Sequence, residues 1–208
     1  MKISILLPYK ENFSPTYAGA VSLFVKDTVK LSEYRKYITV FGNTNLRNIF
    51  KLTYKNIELN RKLIQSGSKL YVNEFLKFEN KLTSDLIEIH NRPNYFHLIY
   101  KKINKQKIVL YFHNDPLTMT GSKSILDRKK LLFNAAKIIF NSHWSRKRFL
   151  QGIEEGMHVN SEKLIVIYQS ISPVKINLNN KKKWITFVGK LNQAKGYDLF
   201  GKAVLKIL

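Results

Sequence analysis

KISILL spans residues 2–7, PYKENFSPTY residues 8–17 and GAVSLFVKDTVKLSE residues 19–33. The first stretch is short and almost wholly apolar, the length of a buried strand rather than of a helix. The second holds Pro8, Asn12, Ser14 and Pro15, all turn formers. In the third, Val21, Phe24, Val25, Thr28, Val29 and Leu31 recur at helical spacing. A strand without polar alternation is one covered on both faces, and a helix directly after it supplies such a cover.

The same unit recurs along the chain. Strands are expected at Tyr37–Phe41, Lys69–Val72, Leu86–Ile89, Lys107–Phe112, Ala136–Phe140 and Lys163–Ile167. Helices are expected at Asn94–Ile103, Ser122–Ala135 and His143–Gln151. Short apolar strands alternating with longer helices predict an α/β fold, a Rossmann-like parallel sheet with helices on both faces. Such sheets bind ligands beyond the carboxyl ends of their strands. Those ends carry Pro8-Tyr9-Lys10, Gly42-Asn43, His90-Asn91-Arg92, His113-Asn114-Asp115 and Asn141-Ser142.

Composition sets the limits. Of 208 residues, 44% are hydrophobic, enough for a sizeable core and too many for disorder. No apolar run reaches the ~18 residues of a membrane-spanning helix, and residues 1–7 read as a strand rather than a signal peptide. The absence of cysteine excludes disulfides, thiolate zinc sites and cysteine nucleophiles, and fits a cytoplasmic enzyme. Thirty-six basic residues against 14 acidic ones give a net charge of +22, a field that attracts nucleotides, phosphorylated sugars or anionic lipid. Part of this charge is compositional, since Lys, Asn and Ile are all abundant. The cations are scattered rather than striped, so nucleic acid is not the expected partner.

Ile176–Lys183 is polar and basic and follows Pro173, which marks residues 173–183 as a linker. Residues 1–172 then form a first domain. Residues 184–208 form the first βα unit of a second, truncated one, with a strand at Trp184–Val188 and a helix from about Tyr197. A single βα unit cannot bury both its faces, so the chain is expected to be a fragment, or these residues to dock elsewhere.

The second-domain stretch runs Phe187-Val188-Gly189-Lys190-Leu191-Asn192-Gln193-Ala194-Lys195-Gly196-Tyr197-Asp198-Leu199. It resembles the F-V-G-R-L-x-x-x-K-G-x-D-L motif of glycosyltransferase family 4, retaining enzymes of the GT-B fold. The resemblance implies that Lys190 and Lys195 grip a donor diphosphate, whose charge grows as it leaves and is stabilised by fixed cations. Gly189 would let the backbone approach the phosphates. Lys190 stands where the family has Arg, a point charge in place of a bidentate fork.

The resemblance extends backward. Tyr17-Ala18-Gly19-Ala20 sits where the family has a small-residue loop opening the first helix, so Gly19 and Ala20 would offer backbone amides to donor or acceptor, or merely start a helix. His113 matches a strand-end His facing the family's active site and would hydrogen-bond acceptor or sugar; Asp115 is a further polar candidate, or a turn cap. Asp85-Leu-Ile-Glu-Ile-His90-Asn91-Arg92-Pro93 is similar to a segment of some bacterial members, so His90 and Arg92 would line the cleft or serve structure. Ser142 falls at a Ser-rich element of the family, or N-caps a helix. Gln169-Ser170 departs from the family's Asn-Gly pair. The match is strongest at 107–150 and 184–203 and weak at 42–84.

The resemblance implies transfer, with retention, from a nucleotide-diphosphate sugar to a cell-envelope glycan or lipid-linked acceptor, without metal or cofactor beyond the donor. The family's second acidic motif is expected beyond Leu208, and the 208-residue chain is expected to have little activity. Residues Leu46–Gln65 interleave Arg47, Lys51, Lys55, Arg61 and Lys62 with Ile49, Phe50, Leu52, Tyr54 and Ile57. They read as a solvated helix or loop, or as a segment docking on an anionic membrane at the inner face of the cell membrane. The rival readings are a basic module binding nucleic acid or membrane, and another Rossmann-like enzyme of phosphorylated ligands. No G-x-G-x-x-G follows the first strand and no Walker motif is present.

Overall fold

In a computed structural model of the chain, describing all residues except 60–65, 104–105, 154–160, 171–181, 190, 192 and 208, residue contacts divide the molecule into Met1–Ser170 and Ile171–Leu208. The opening strand is β1 (Ile3–Leu6) and its helix α1 (Ala20–Leu31). There follow β2 (Ile38–Gly42), β3 (Tyr54–Asn56), α2 (Gly67–Leu82), β4 (Leu86–His90), α3 (Pro93–Tyr100) and β5 (Lys107–Phe112). The first unit continues through α4 (Ile125–Asn134), β6 (Lys137–Phe140), α5 (His143–Leu150) and β7 (Leu164–Val166).

All seven strands pair in parallel in the order β3-β2-β1-β4-β5-β6-β7. The order reverses beside β1, where β2 and β3 lie to one side and β4–β7 to the other. In register, Ile5 sits between Val40 of β2 and Glu88 of β4. Period-two alternation sorts the side chains. Leu6, Phe41, Ile87, Ile89, Leu110, Phe112 and Phe140 pack with Tyr71 and Phe75 of α2, Phe96 of α3, Leu131 of α4 and Phe149 of α5. Ile3, Ile5, Leu7, Ile38 and Val40 pack with Val21, Val25 and Val29 of α1. Helices therefore cover both faces, four on one and α1 on the other, so the interior strands read as largely apolar runs while the edge strand β3 does not.

In the first unit two expectations are corrected. Residues 69–72 are not a strand but lie in the first turns of α2. Ser66 caps that helix by accepting from the Lys69 amide at 3.4 Å, and Leu70, Tyr71, Phe75, Leu76 and Glu79 are buried at helical spacing. The third strand is β3, which lies inside the stretch read as a solvated helix or loop. There Phe50, Leu52 and Tyr54 pack against the α1-side core and Ile57 is fully buried, so these four apolar residues face inward.

In the second unit, α6 (Tyr197–Val204) begins where a helix was expected. Residues 184–188 are not a strand. A strand needs a ladder partner, and no strand lies among the described residues of this unit.

Arg128 on α4, only 3% exposed, donates to the Phe149 carbonyl at 2.6 Å and to the Gln151 carbonyl at 2.8 Å, closing the carboxyl end of α5. Arg128→Ala strands those carbonyls and opens a cavity. It should destabilise the chain by about 3 kcal/mol in chemical denaturation.

Candidate functional site

His113 directly follows β5, one strand removed from the point where the sheet order reverses. Neighbouring strand ends clamp its backbone. Its amide donates to Asn91 Oδ1 at 3.3 Å, and its carbonyl accepts from Asn141 Nδ2 at 2.9 Å. Asn91 can reach because its backbone turns through φ 54°, a conformation Asn tolerates better than most residues. Asn141 is held in turn by the Ser145 hydroxyl at 2.9 Å.

The imidazole of His113 lies within a chain of hydrogen bonds. Gln169 Nε2 meets His113 Nδ1 at 2.8 Å, His113 Nε2 meets His90 Nδ1 at 2.9 Å, and His90 Nε2 meets Glu88 Oε1 at 2.8 Å. Proton positions follow from the two ends. An amide nitrogen can only donate and a carboxylate can only accept, so each ring carries its proton on Nε2 and accepts at Nδ1. Phe24 of α1 covers the cluster, its ring 5.1 Å from His113 edge-on and 5.8 Å from Tyr111, while Tyr111 stacks on His90 at 4.6 Å. Burial, and then the adjacent His90, pull the His113 pKa from 6.5 down to about 3. His113 is therefore neutral at physiological pH and presents a fixed lone pair toward Gln169, which is exposed.

The other expected site residues are placed as follows. His90 is fully buried beneath His113 and orients it rather than reaching the surface. Arg92 turns back to donate to the Asn91 carbonyl at 2.8 Å. Asp115 accepts from the Leu117 amide at 3.0 Å and pairs with Arg148 Nη2 at 3.0 Å. Burial works to raise its carboxyl, but the bonds from Arg148 and Leu117, with the guanidinium's charge, outweigh that and hold it below its usual range. Ser142 caps α5, accepting from the Ser145 amide at 3.1 Å.

Gly19 is the N-cap of α1 and Ala20 its first residue, but the amides there already have an anion beside them. The Glu11 carboxylate accepts from the Ser22 amide at 3.2 Å, and a Cβ on Gly19 would fall on that carboxylate. The glycine thus makes room for an internal cap.

In the second unit, Phe187 packs on Tyr197 and Phe200, each ring 5.4 Å away. A Cβ on Gly189 would lie 3.2 Å from the Phe187 ring and 4.0 Å from Lys195 Cβ, so Gly189 and Lys195 are neighbours. Gly196 turns the chain into α6 at φ 71°, the left-handed region that glycine enters without strain. Lys190 lies outside the described residues.

Sequence reading missed Glu88, Phe24, Glu11 and Gln169 as contributors. Glu88 had a signal, since it precedes His90 by two residues and so shares its face of the strand. Gln169 is 56 residues from His113, and no local pattern joins them.

Among solved structures, the chain superposes on Anabaena HepE in complex with UDP-glucose with a TM-score of 0.57 at 17% identity, covering 82% of this chain and 44% of HepE. The fold is that of a Rossmann-like GT-B domain. Sucrose-phosphate synthase from Thermosynechococcus elongatus gives 0.52 at 12% identity, covering 81% of this chain and 48% of that one. UDP-N-acetylglucosamine 2-epimerase from Rickettsia bellii gives 0.50 at 12% identity, covering 80% and 44%. The chain thus spans less than half the length of each. Similarity at these identities is similarity of fold. No family model and no curated protein matches the chain.

Two outcomes are expected of the site. Because His113 titrates near 3 when folded and near 6.5 when unfolded, the unfolded chain takes up a proton that the folded chain refuses. The associated stability is complete above about pH 6.5 and is lost as the pH falls toward about 3, at up to about 1.4 kcal/mol per pH unit. Denaturation curves across that range should be flatter with pH for His113→Asn. Glu11→Ala removes the internal cap of α1 and should cost about 1 kcal/mol in the same assay.

Proposed function

We propose that the chain is the acceptor-side part of a retaining glycosyltransferase that moves a sugar from a nucleotide-diphosphate donor to a glycan or glycolipid of the cell envelope. The observation that carries this reading is the lone pair of His113, fixed at the carboxyl edge of a GT-B sheet. A neutral imidazole with one committed acceptor nitrogen suits a sugar hydroxyl, which must donate to it. The Gln169 amide holds that position and is exposed enough to yield it. With its pKa near 3, His113 is a poor general base, so it positions rather than deprotonates. That agrees with a retaining route, in which the leaving phosphate takes the acceptor proton and no side-chain base is required.

The donor's diphosphate would be gripped from the second unit by Lys190 and Lys195, with Gly189 giving close backbone approach, as the motif at 187–199 implies. At the amino end of α1 a phosphate would have to displace the Glu11 carboxylate from the Ser22 amide. No metal or further cofactor is proposed. Among the described residues no helix is long and apolar enough to cross a membrane. We place the enzyme in the cytoplasm at the inner face of the membrane, where lipid-linked acceptors are found and a charge of +22 favours anionic lipid.

Saturation-transfer NMR of the chain with UDP-glucose, GDP-mannose, ADP-glucose and NAD tests the reading. At least one nucleotide sugar should bind and NAD should not; NAD binding without sugar nucleotides would overturn it. In a chain extended through the second domain, Lys195→Ala should lower kcat about 100-fold by weakening the grip on the leaving group. His113→Ala should lower turnover while leaving the fold intact; a melted protein would show that His113 serves structure alone.

A further inference from the structure

Away from His113, on the same carboxyl edge, the loops after β1, β2 and β3 enclose an open groove of about 920 Å³. Its lining includes four side-chain amides, three of them with bonding half used. The Asn12 oxygen accepts from the Thr44 hydroxyl at 3.1 Å, which leaves the amide hydrogens of Asn12 for a ligand. Asn43 is the reverse case, because its nitrogen donates to the Ile57 carbonyl at 2.8 Å and its oxygen remains. The oxygen of Asn56 takes the Thr44 amide at 2.9 Å and the Tyr54 hydroxyl at 3.1 Å, leaving its nitrogen. Asn45, exposed at the rim, has no hydrogen-bond partner among the described residues. The groove thus offers both donors and acceptors, those of Asn43 and Asn56 fixed by backbone groups and that of Asn12 by the Thr44 hydroxyl, as hydroxyl-bearing ligands require.

Its charge is asymmetric. Among the described residues, Lys10 and Arg47 line it without pairing with a carboxylate, and Glu58 is the one acidic residue of the lining. Lys10 is held there by a left-handed backbone, φ 65°, with its ammonium 5.6 Å from the Tyr9 ring. Two unpaired cations disfavour a divalent metal ion, and the amide lining disfavours an apolar tail.

We infer that this groove binds the acceptor saccharide, and that the saccharide carries an acidic group, a carboxylate or phosphate, met by Lys10 and Arg47. The amides of Asn12, Asn43, Asn45 and Asn56 take its hydroxyls, and Tyr9 gives its ring an apolar floor. The assignment of this ligand as acceptor rests on the transferase reading above.

The test titrates the ¹⁵N-labelled chain in separate arms with digalacturonic acid, lactose, UDP-glucose, GDP-mannose and ADP-glucose. Digalacturonic acid should shift the amides of Asn43, Asn45, Arg47, Asn56 and Glu58 saturably, and lactose should do so at least tenfold more weakly. The double variant Lys10→Asn, Arg47→Gln should bring the acid down to the level of lactose, while resonances remote from the groove stay in place. Asn is used at position 10 because it tolerates a positive φ. Equal binding of the two disaccharides, no effect of the double variant, or shifts confined elsewhere would overturn the proposal, as would UDP-glucose moving these residues in their place. Digalacturonic acid in the groove with no response anywhere to UDP-glucose, GDP-mannose or ADP-glucose would keep the groove and remove the transferase reading.

Discussion

The bond between His90 Nδ1 and His113 Nε2 fixes the direction of everything around it. Glu88 can only accept and the Gln169 nitrogen can only donate, so four side chains share one arrangement of protons. The cluster spans two adjacent strands and the segment after β7, and Phe24 closes it from α1. Burial that would be costly for a charged imidazole is tolerable for a neutral one whose nitrogens are both bonded. The same burial that stabilises the sheet thus determines what His113 can do: it accepts a proton's bond without taking the proton.

Much of this architecture was visible in the sequence because a doubly covered parallel sheet writes its strands as uninterrupted apolar runs. Lys107–Phe112 matches β5 end to end, and the neighbouring strands fall within a residue or two of expectation. The failures have physical causes. Residues 69–72 hold Leu-Tyr-Val, a strand-like run, and only the wider spacing through Phe75, Leu76 and Glu79 reveals a helix. β3 is a three-residue edge strand, Tyr-Lys-Asn, largely exposed and without the apolar pattern that marks the interior strands. A run expected at 184–188 has strand composition but finds no strand to pair with among the described residues of its unit, which composition cannot report.

The site was legible in part for the same reason. Strand ends could be located, so His90, His113 and Ser142 could be singled out, but their division of labour depends on contacts across the fold. His90 supports, Ser142 caps and Asp115 pairs with Arg148, which leaves His113 as the residue whose acceptor nitrogen meets an exposed and replaceable partner, Gln169. Gly19 illustrates the limit of motif reading: its lack of a side chain is used here to admit Glu11, an anion supplied by the chain itself. Two of the many cations, Lys10 and Arg47, line the groove together with one carboxylate, Glu58, among its described residues.

The most direct measurement of the central claim is ¹⁵N NMR of the imidazole nitrogens of the labelled chain, followed from pH 8 to pH 4. The account predicts that His113 shows one tautomer, protonated at Nε2 with an unprotonated Nδ1, unchanged through about pH 5. Titration near 6.5, or a proton on Nδ1, would contradict it, because the fixed lone pair on which the rest of the site depends would then not exist.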